Sequence, residues 1–489
     1  LRAPLAAAAA HGRPRFARPT WNHYRAQLID AHRRLPAKEF EVMTVMRLIL
    51  LLVAFSPCVS LAQDPALEAP VDRQLDSLVH IYKEIHAAPE LSHHERNTSA
   101  LLAGRLRALG YAVTDHVGKY PNPKWQGYGV VAVLRNGPGP TVLVRADMDA
   151  LPVEEQTGLP YSSHIRATDD NGTDVPVMHA CGHDIHTTVL IGTAAMLAQM
   201  KDRWQGTLVL VGQPAEEKGD GARAMLADGL YTRFPKPDLA VALHDFSDLE
   251  AGTVGYTSGY MLAGATSVDV TLRGRGGHGA YPQSTHDPIV MAAEFVLAVQ
   301  TIVSREITPT DPAVVTVGSI HGGTKYNVIP DEVKLQLTIR TYKPEVRRHI
   351  LDSLARIAKG IAEENGVSDD RAPTVAVNET EWAAPVYNDP ALTERVVAAL
   401  KSALGPANVI PLERVMGGED FGAYGLEDHR IPTVFFRLGA IDAQRIAASK
   451  ASGVPLPSLH SSSFWPTPEA TIRTGVIAMT SVVLDLMKK

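Results

Sequence analysis

Residues 187–214 read TTVLIGTAAMLAQMKDRWQGTLVLVGQP, and this stretch decides the fold. Residues 187–200 have the length of a helix. Leu208 to Val211 form a short unbroken apolar run, the mark of a strand buried on both faces. Working outward, residues 130–134, 141–144 and 239–243 repeat that apolar signature. Strands alternating with helices predict an α/β sheet with helices on its faces. Upstream, Val71, Leu75, Leu78, Val79, Tyr82 and Ile85 recur at helical spacing, and a second helix spans 96–109 before Gly110 stops it.

From about Tyr260 the pattern changes. Thr266, Val268, Val270 and Leu272 alternate with polar neighbours, as do Val333, Leu335, Leu337 and Ile339, which predicts strands with one wet face. Asp287-Pro288 opens an amphipathic helix to Val303, with Asp as N-cap and Pro in the first turn, and another helix covers 344–364. The order strand, helix, strand, strand, helix describes a compact α+β domain inserted into the first one. The α/β style returns near Glu379, with a strand at 432–436 and a closing helix from Thr467-Pro468 to Met487. The expected fold is therefore α/β, a mixed sheet flanked by helices, with an α+β insertion at 259–376 splitting a catalytic domain into 63–258 and 377–489.

The chain has 489 residues, 45% hydrophobic and 20% charged, so it can bury substantial cores. Its formal charge is −6, but residues 1–62 hold nine Lys/Arg against Asp30, Glu39 and Glu41, which leaves −12 for the rest. That balance argues against nucleic acid or an anionic membrane as partner. Residues 1–42 are basic and patternless and read as upstream sequence. Arg47, the apolar run 48–55 and Ser60-Leu61-Ala62 read as a signal peptide over 43–62, with a mature start near Gln63. The run is far short of the roughly 20 residues that span a bilayer, so no stable membrane anchor is expected. A secreted protein is predicted, periplasmic if the source is Gram-negative. Loss of Cys58 with the signal would leave Cys181 alone and exclude an internal disulfide.

The chemistry-bearing residues follow strands. Arg145-Ala146-Asp147-Met148-Asp149 puts two carboxylates at the carboxyl end of a buried strand, where open α/β sheets place ligands. Met178-His179-Ala180-Cys181-Gly182-His183-Asp184-Ile185-His186 sits just before a helix. Cys and His two apart on a glycine-containing loop can face one metal, and three histidines and a cysteine so close together fit core packing poorly. Glu216-Glu217 follows the next strand. Adjacent glutamates there can divide two tasks, one binding metal and one taking a proton from water, although alone they would read as a solvated charge run. The following strand ends at His244-Asp245. Three successive strands thus deliver ligand types to one sheet edge. Gly417-Gly418-Glu419-Asp420-Phe421-Gly422 reads as a flexible acidic loop, and Leu459-His460-Ser461 precedes the last helix; neither stands out unaided.

The succession RADMDALP, MHACGHDIHTT, GQPAEEKGDGA, ALHDF, GGHGAYPQSTHDP, YNVIPDEV, MGGEDF and SLHSSSF resembles the amidohydrolase branch of the aminoacylase and carboxypeptidase G superfamily, which includes hippurate hydrolase and indole-acetyl-amino acid hydrolases. The resemblance covers nearly everything after residue 71. It implies a metal-dependent catalytic domain with an inserted lid or dimerisation domain, and hence a homodimer through that insertion. It assigns Cys181, His183, Glu217, His244 and His460 as ligands of two divalent ions per subunit, Glu216 as general base and Asp149 as a carboxylate steering a ligand. In the insertion, His278, Asn327 and Arg340 match positions that contact the substrate carboxylate or the reacting carbonyl. The wider superfamily's His-x-Asp pair is Asp147-Met148-Asp149 here and its bridging Asp is Cys181, which leaves the ion open: zinc or manganese, with cobalt and nickel also compatible. The implied reaction is hydrolysis of the amide of an N-acyl or N-aroyl amino acid or a short peptide-like relative. Its rivals are a hydrolase with Cys181 as nucleophile and a binding protein that keeps the fold without turnover.

Overall fold

The computed structural model describes residues 65–426 and 430–489. The expected upstream segment and signal peptide, with Cys58 and the proposed cleavage after Ala62, lie outside the described residues. The larger sheet has eight strands: β1 (Ala112–Val117), β2 (Gly129–Asn136), β3 (Thr141–Asp147), β4 (Gly206–Gln213), β5 (Leu239–Glu250), β6 (Val254–Tyr256), β11 (Val409–Pro411) and β12 (Thr433–Ile441). The four intervening labels belong to the smaller sheet: β7 (Gly264–Arg273), β8 (Ala313–His321), β9 (Glu332–Thr341) and β10 (Thr374–Ala383).

The larger sheet runs β1-β2-β4-β3-β5-β12-β6-β11. Its centre, β4-β3-β5-β12, is parallel, while β1, β2 and β6 introduce antiparallel pairs. Strands β4 and β12 are buried at every position, as their near-continuous apolar runs require. One face is covered by helices α1 (Pro65–Ala87), α2 (Arg96–Ala108), α3 (His183–Gln199), α6 (Pro390–Leu404) and α7 (Pro468–Leu486), which build the main core. Labels α4 (Pro288–Thr301) and α5 (Pro344–Glu364) belong to the insertion. Helix α3 is the hub, packed against both α1 and α7. On it, a methyl group at Gly192 would press on Val476 and Leu78, 2.6 and 2.9 Å away, so glycine sets that close approach.

Helix α3 starts at His183, one turn earlier than its apolar pattern predicts. Its first turn carries three polar side chains and is entirely buried, because each has a partner from another segment: His183 meets the Asp149 carbonyl, Asp184 meets His86 on α1, and His186 meets Asp147 and Asp245. Apolar periodicity cannot see such a turn.

The insertion is an antiparallel sheet ordered β8-β9-β7-β10, with α4 and α5 on one face. Burial alternates along β7 and β9 as their sequence alternation dictates. Asp287 caps α4, accepting from Ile289 N. A fourth strand, β10, follows α5 and pairs with β7; it was absent from the expected order, which ended on the helix.

Candidate metal centre and active-site cavity

Three parallel strands bring the ligand types to one edge, as their sequence positions imply. Asp149 follows β3, Glu216 and Glu217 follow β4, and His244 lies on β5. Cys181 and His183 flank Gly182, whose φ of +80° is available to glycine and where a Cβ would collide with the Asp245 carboxylate. His460 arrives from far downstream with a φ of +67°, its backbone N donating to Ala180 O at 2.8 Å. A non-glycine residue held there is strained, and such strain clusters at functional sites.

The side chains converge. Cys181 Sγ lies 3.4 Å from His244 Nε2 and 3.2 Å from His460 Nε2. Glu217 reaches within 3.5 Å of His460 Nε2 and 3.9 Å of His183 Nε2. Both buried imidazoles are oriented from behind: His183 Nδ1 donates to Asp149 O at 2.8 Å and His244 Nδ1 to Asp245 O at 2.6 Å. A backbone carbonyl can only accept, so each Nε2 faces the cluster. This is how metal-binding histidines are oriented. His183 Nε2 and Glu217 Oε1 are buried with no hydrogen-bond partner among the described residues. Cys181, Glu217 and His460 form one group close enough to share a cation, and His183, Glu216 and Glu217 another.

Charge points the same way. Burial pushes Glu217 up to about 7, and burial with Glu419, Glu217 and Asp420 holds Glu216 well above the usual carboxylate range. Burial alone would lower His183, but Asp147, Cys181 and Asp149 raise it well above its ordinary value. Burial and the Glu217 carboxylate likewise push the Cys181 thiol up. Around Glu216, Glu217 and His183, acids that resist ionising beside an imidazole that holds its proton mark a surplus of negative charge that a divalent ion would relieve, whereas burial and neighbouring histidines lower His244 and His460.

Asp149 clamps the glutamate loop. Its two oxygens accept from Glu216 N at 3.1 Å and Glu217 N at 3.0 Å, and Ser92 Oγ donates to it at 2.7 Å. Asp147 instead faces Arg145 Nη1 at 2.6 Å and His186 Nδ1 at 2.5 Å. Two features were not legible in sequence. Arg145 is fully buried and is met by Asp147, Glu419, Asp420 and Gln213. Glu419 and Asp420 are correspondingly buried and ion-paired, which corrects the expectation of a flexible acidic loop. The arginine of the RAD motif signals nothing by itself, since two of its three carboxylate partners, Glu419 and Asp420, lie more than 270 residues away.

A cavity of about 740 Å³ opens over the cluster. Cys181, Glu216, Glu217, His244 and His460 line it from the larger sheet, and Arg340 from the insertion. His278 and Asn327 do not line it. They sit together, His278 paired with Val328 and Gly279 N donating to Asn327 O at 2.9 Å, and His278 is exposed.

The pattern of the peptidase family M20/M25/M40 matches residues 143–461. The chain is 36% identical over 407 residues to an N-acetyldiaminopimelate deacetylase of Limosilactobacillus reuteri, covering 83% of this chain and 97% of that protein. It is 34% identical over 421 residues to thermostable carboxypeptidase 1 of Saccharolobus solfataricus, covering 85% and 96%. Among solved structures it is similar to a Bacillus subtilis protein described as a dinuclear metal-binding peptidase of the M20 family, with TM-score 0.65, 26% identity and coverage of 85% and 99%.

Proposed function

The chain belongs to peptidase family M20/M25/M40, and from that premise we propose that it is a metal-dependent amidohydrolase acting on N-acyl amino acids. The observation that carries this reading is the convergence of Cys181, His183, Glu217, His244 and His460, all but His183 lining the cavity, with both buried imidazoles oriented by carbonyls behind them. The donor set fits two divalent ions. Thiolate and imidazole suit zinc, and imidazole with carboxylate suits manganese, cobalt or nickel. When bound, such ions polarise the scissile carbonyl and ease deprotonation of water.

The chain's own residues supply the rest. Glu216, with a pKa raised by burial and neighbouring acids, takes the proton from water and returns it to the leaving amine. Asp149 fixes the loop that aims it. Arg340, half-buried in the cavity wall, pairs with the substrate carboxylate. The thiol-nucleophile alternative is disfavoured because Cys181 faces two imidazole nitrogens and lies in one cation-sized group with Glu217.

The working unit is a homodimer formed through the insertion. Ile289, Val290 and Leu297 of α4 are 42%, 48% and 74% exposed, and Ile320 on the edge strand β8 is 51% exposed. An apolar helix face beside an open strand edge is a surface a second copy would cover. His278 and Asn327 would then reach the partner's cavity. Export rests on the segment 43–62 alone, and N-terminal sequencing of the exported chain tests it.

Dialysis against a chelator should abolish hydrolysis of N-acetyl and N-benzoyl amino acids, and Zn or Mn should restore it. Full activity in protein shown to be metal-free would sink the proposal.

A further inference from the structure

Strand β12 passes between β5 and β6, pairing Arg437 with His244 on one side and Gly255 on the other. Paired residues on neighbouring strands share a face, as do alternate residues along one strand. Arg437, Phe435, His244 and Phe246 therefore project from the same side of the sheet, and the last three line the active-site cavity. The Arg437 guanidinium lies over the Phe246 ring, 4.2 Å from its centre. This cation–π contact places the guanidinium against the cavity-lining ring without using an N–H donor in a hydrogen bond to an oxygen.

Two of its nitrogens are unused among the described residues. Arg437 is 3% exposed, yet its Nε and Nη2 have no hydrogen-bond partner among the described residues. The contrast with Arg145 is direct, since that buried arginine is met by three carboxylates and an amide. The carboxylate whose charge reaches Arg437 is Asp248, which is exposed and does not hydrogen-bond Arg437 Nε or Nη2. Burial pushes Arg437 below the usual arginine range. A cation taken out of water without a partner is costly, and an anionic group arriving beside it recovers that cost.

We propose that Arg437 is a subsite for a second carboxylate of the substrate, reached past Phe246 and separate from Arg340 on the insertion side of the cavity. The inference rests on the amidohydrolase reading and narrows it to doubly acidic substrates. The second carboxylate can belong to the amino-acid side chain or to the acyl arm, and Arg437 recognises the same chemistry in either.

The test compares matched substrates: N-acetylglutamate against N-acetylglutamine, and N-succinylalanine against N-butanoylalanine. In the wild type, kcat/KM for the diacid of one pair should exceed that of its neutral partner by about 10- to 100-fold, the range of a charge-assisted hydrogen bond. Whichever pair shows it identifies the arm. In Arg437→Gln that ratio should collapse, chiefly through KM, and Arg437→Lys should restore part of it. A merely structural arginine would lower both members of a pair equally and leave the ratio intact. Equal wild-type rates within both pairs, or an unchanged ratio in Arg437→Gln, would overturn the subsite. A calorimetric arm separates this outcome from failure of the amidohydrolase reading, using glutarate and butyrate on wild type and Arg437→Gln. If no amide is hydrolysed, glutarate binding that weakens about tenfold in the variant still supports the subsite, and binding that does not change rejects it.

Discussion

Asp149 accepts hydrogen bonds from two consecutive backbone amides, those of Glu216 and Glu217, and this clamp fixes the loop from which the two neighbouring side chains depart. Glu217 joins Cys181 and His460, whereas Glu216 lies beside Glu419 and Asp420 and within 3.9 Å of His183 Nε2. Glu216→Gln should keep the metals yet lose about 10²–10⁴-fold in kcat, because an amide can hold water but cannot accept its proton. Metal analysis beside kinetics checks this, and loss of metal in that variant would exchange the roles of the two glutamates. Cys181→Ala should behave oppositely, lowering metal occupancy and activity together; full activity in a metal-replete variant would remove Cys181 from the essential ligands.

At the scale of elements, the join between α1 and α3 determines how firmly the first turn of α3 is held. His86, near the end of α1, places Nδ1 2.6 Å from Asp184 on α3 and Nε2 3.2 Å from Glu155. Burial would lower its pKa, but the two carboxylates overcome that and raise it to about 9. A proton bound more tightly in the folded state stabilises it fully below the unfolded value of about 6.5. That contribution, on the order of 3 kcal/mol, disappears as the pH rises through about 9. The stability difference between wild type and His86→Gln should therefore be largest near pH 6 and shrink toward pH 10. Urea titrations across that window test it, and a difference flat with pH would show that His86 is not charged in the fold.

At the scale of the molecule, the cavity of one chain holds Arg340 but not His278 or Asn327. If a second copy supplies His278 across the interface formed by α4 and β8, neither Glu216→Ala nor His278→Ala should turn over well alone. Mixed with complete exchange, half the dimers are heterodimers with one intact site of two, so about a quarter of wild-type activity should return. Mass-tagged subunits establish exchange, and light scattering establishes the dimer. Confirmed heterodimers that stay inactive would confine His278 to a structural role or to its own chain.

The α/β architecture, the inserted domain and the residue types of the candidate metal cluster were readable because they depend on local pattern. Unbroken apolar runs make buried strands, alternation makes half-wet ones, and Cys181, His183, Glu217 and His244 each fall beside a strand end or helix start. Long-range pairing was not readable. The partners of Arg145 at Glu419 and Asp420, the buried polar first turn of α3 and the fourth insertion strand β10 all depend on segments distant in sequence. Arg437 shows the limit most clearly. As a sequence position it is one basic residue in an apolar run, and only the packing of β12 between β5 and β6 buries it beside the cavity with Nε and Nη2 unpaired among the described residues. Periodicity reports which face a side chain takes, but the charge that meets it there is set by chain segments that only the folded structure brings together.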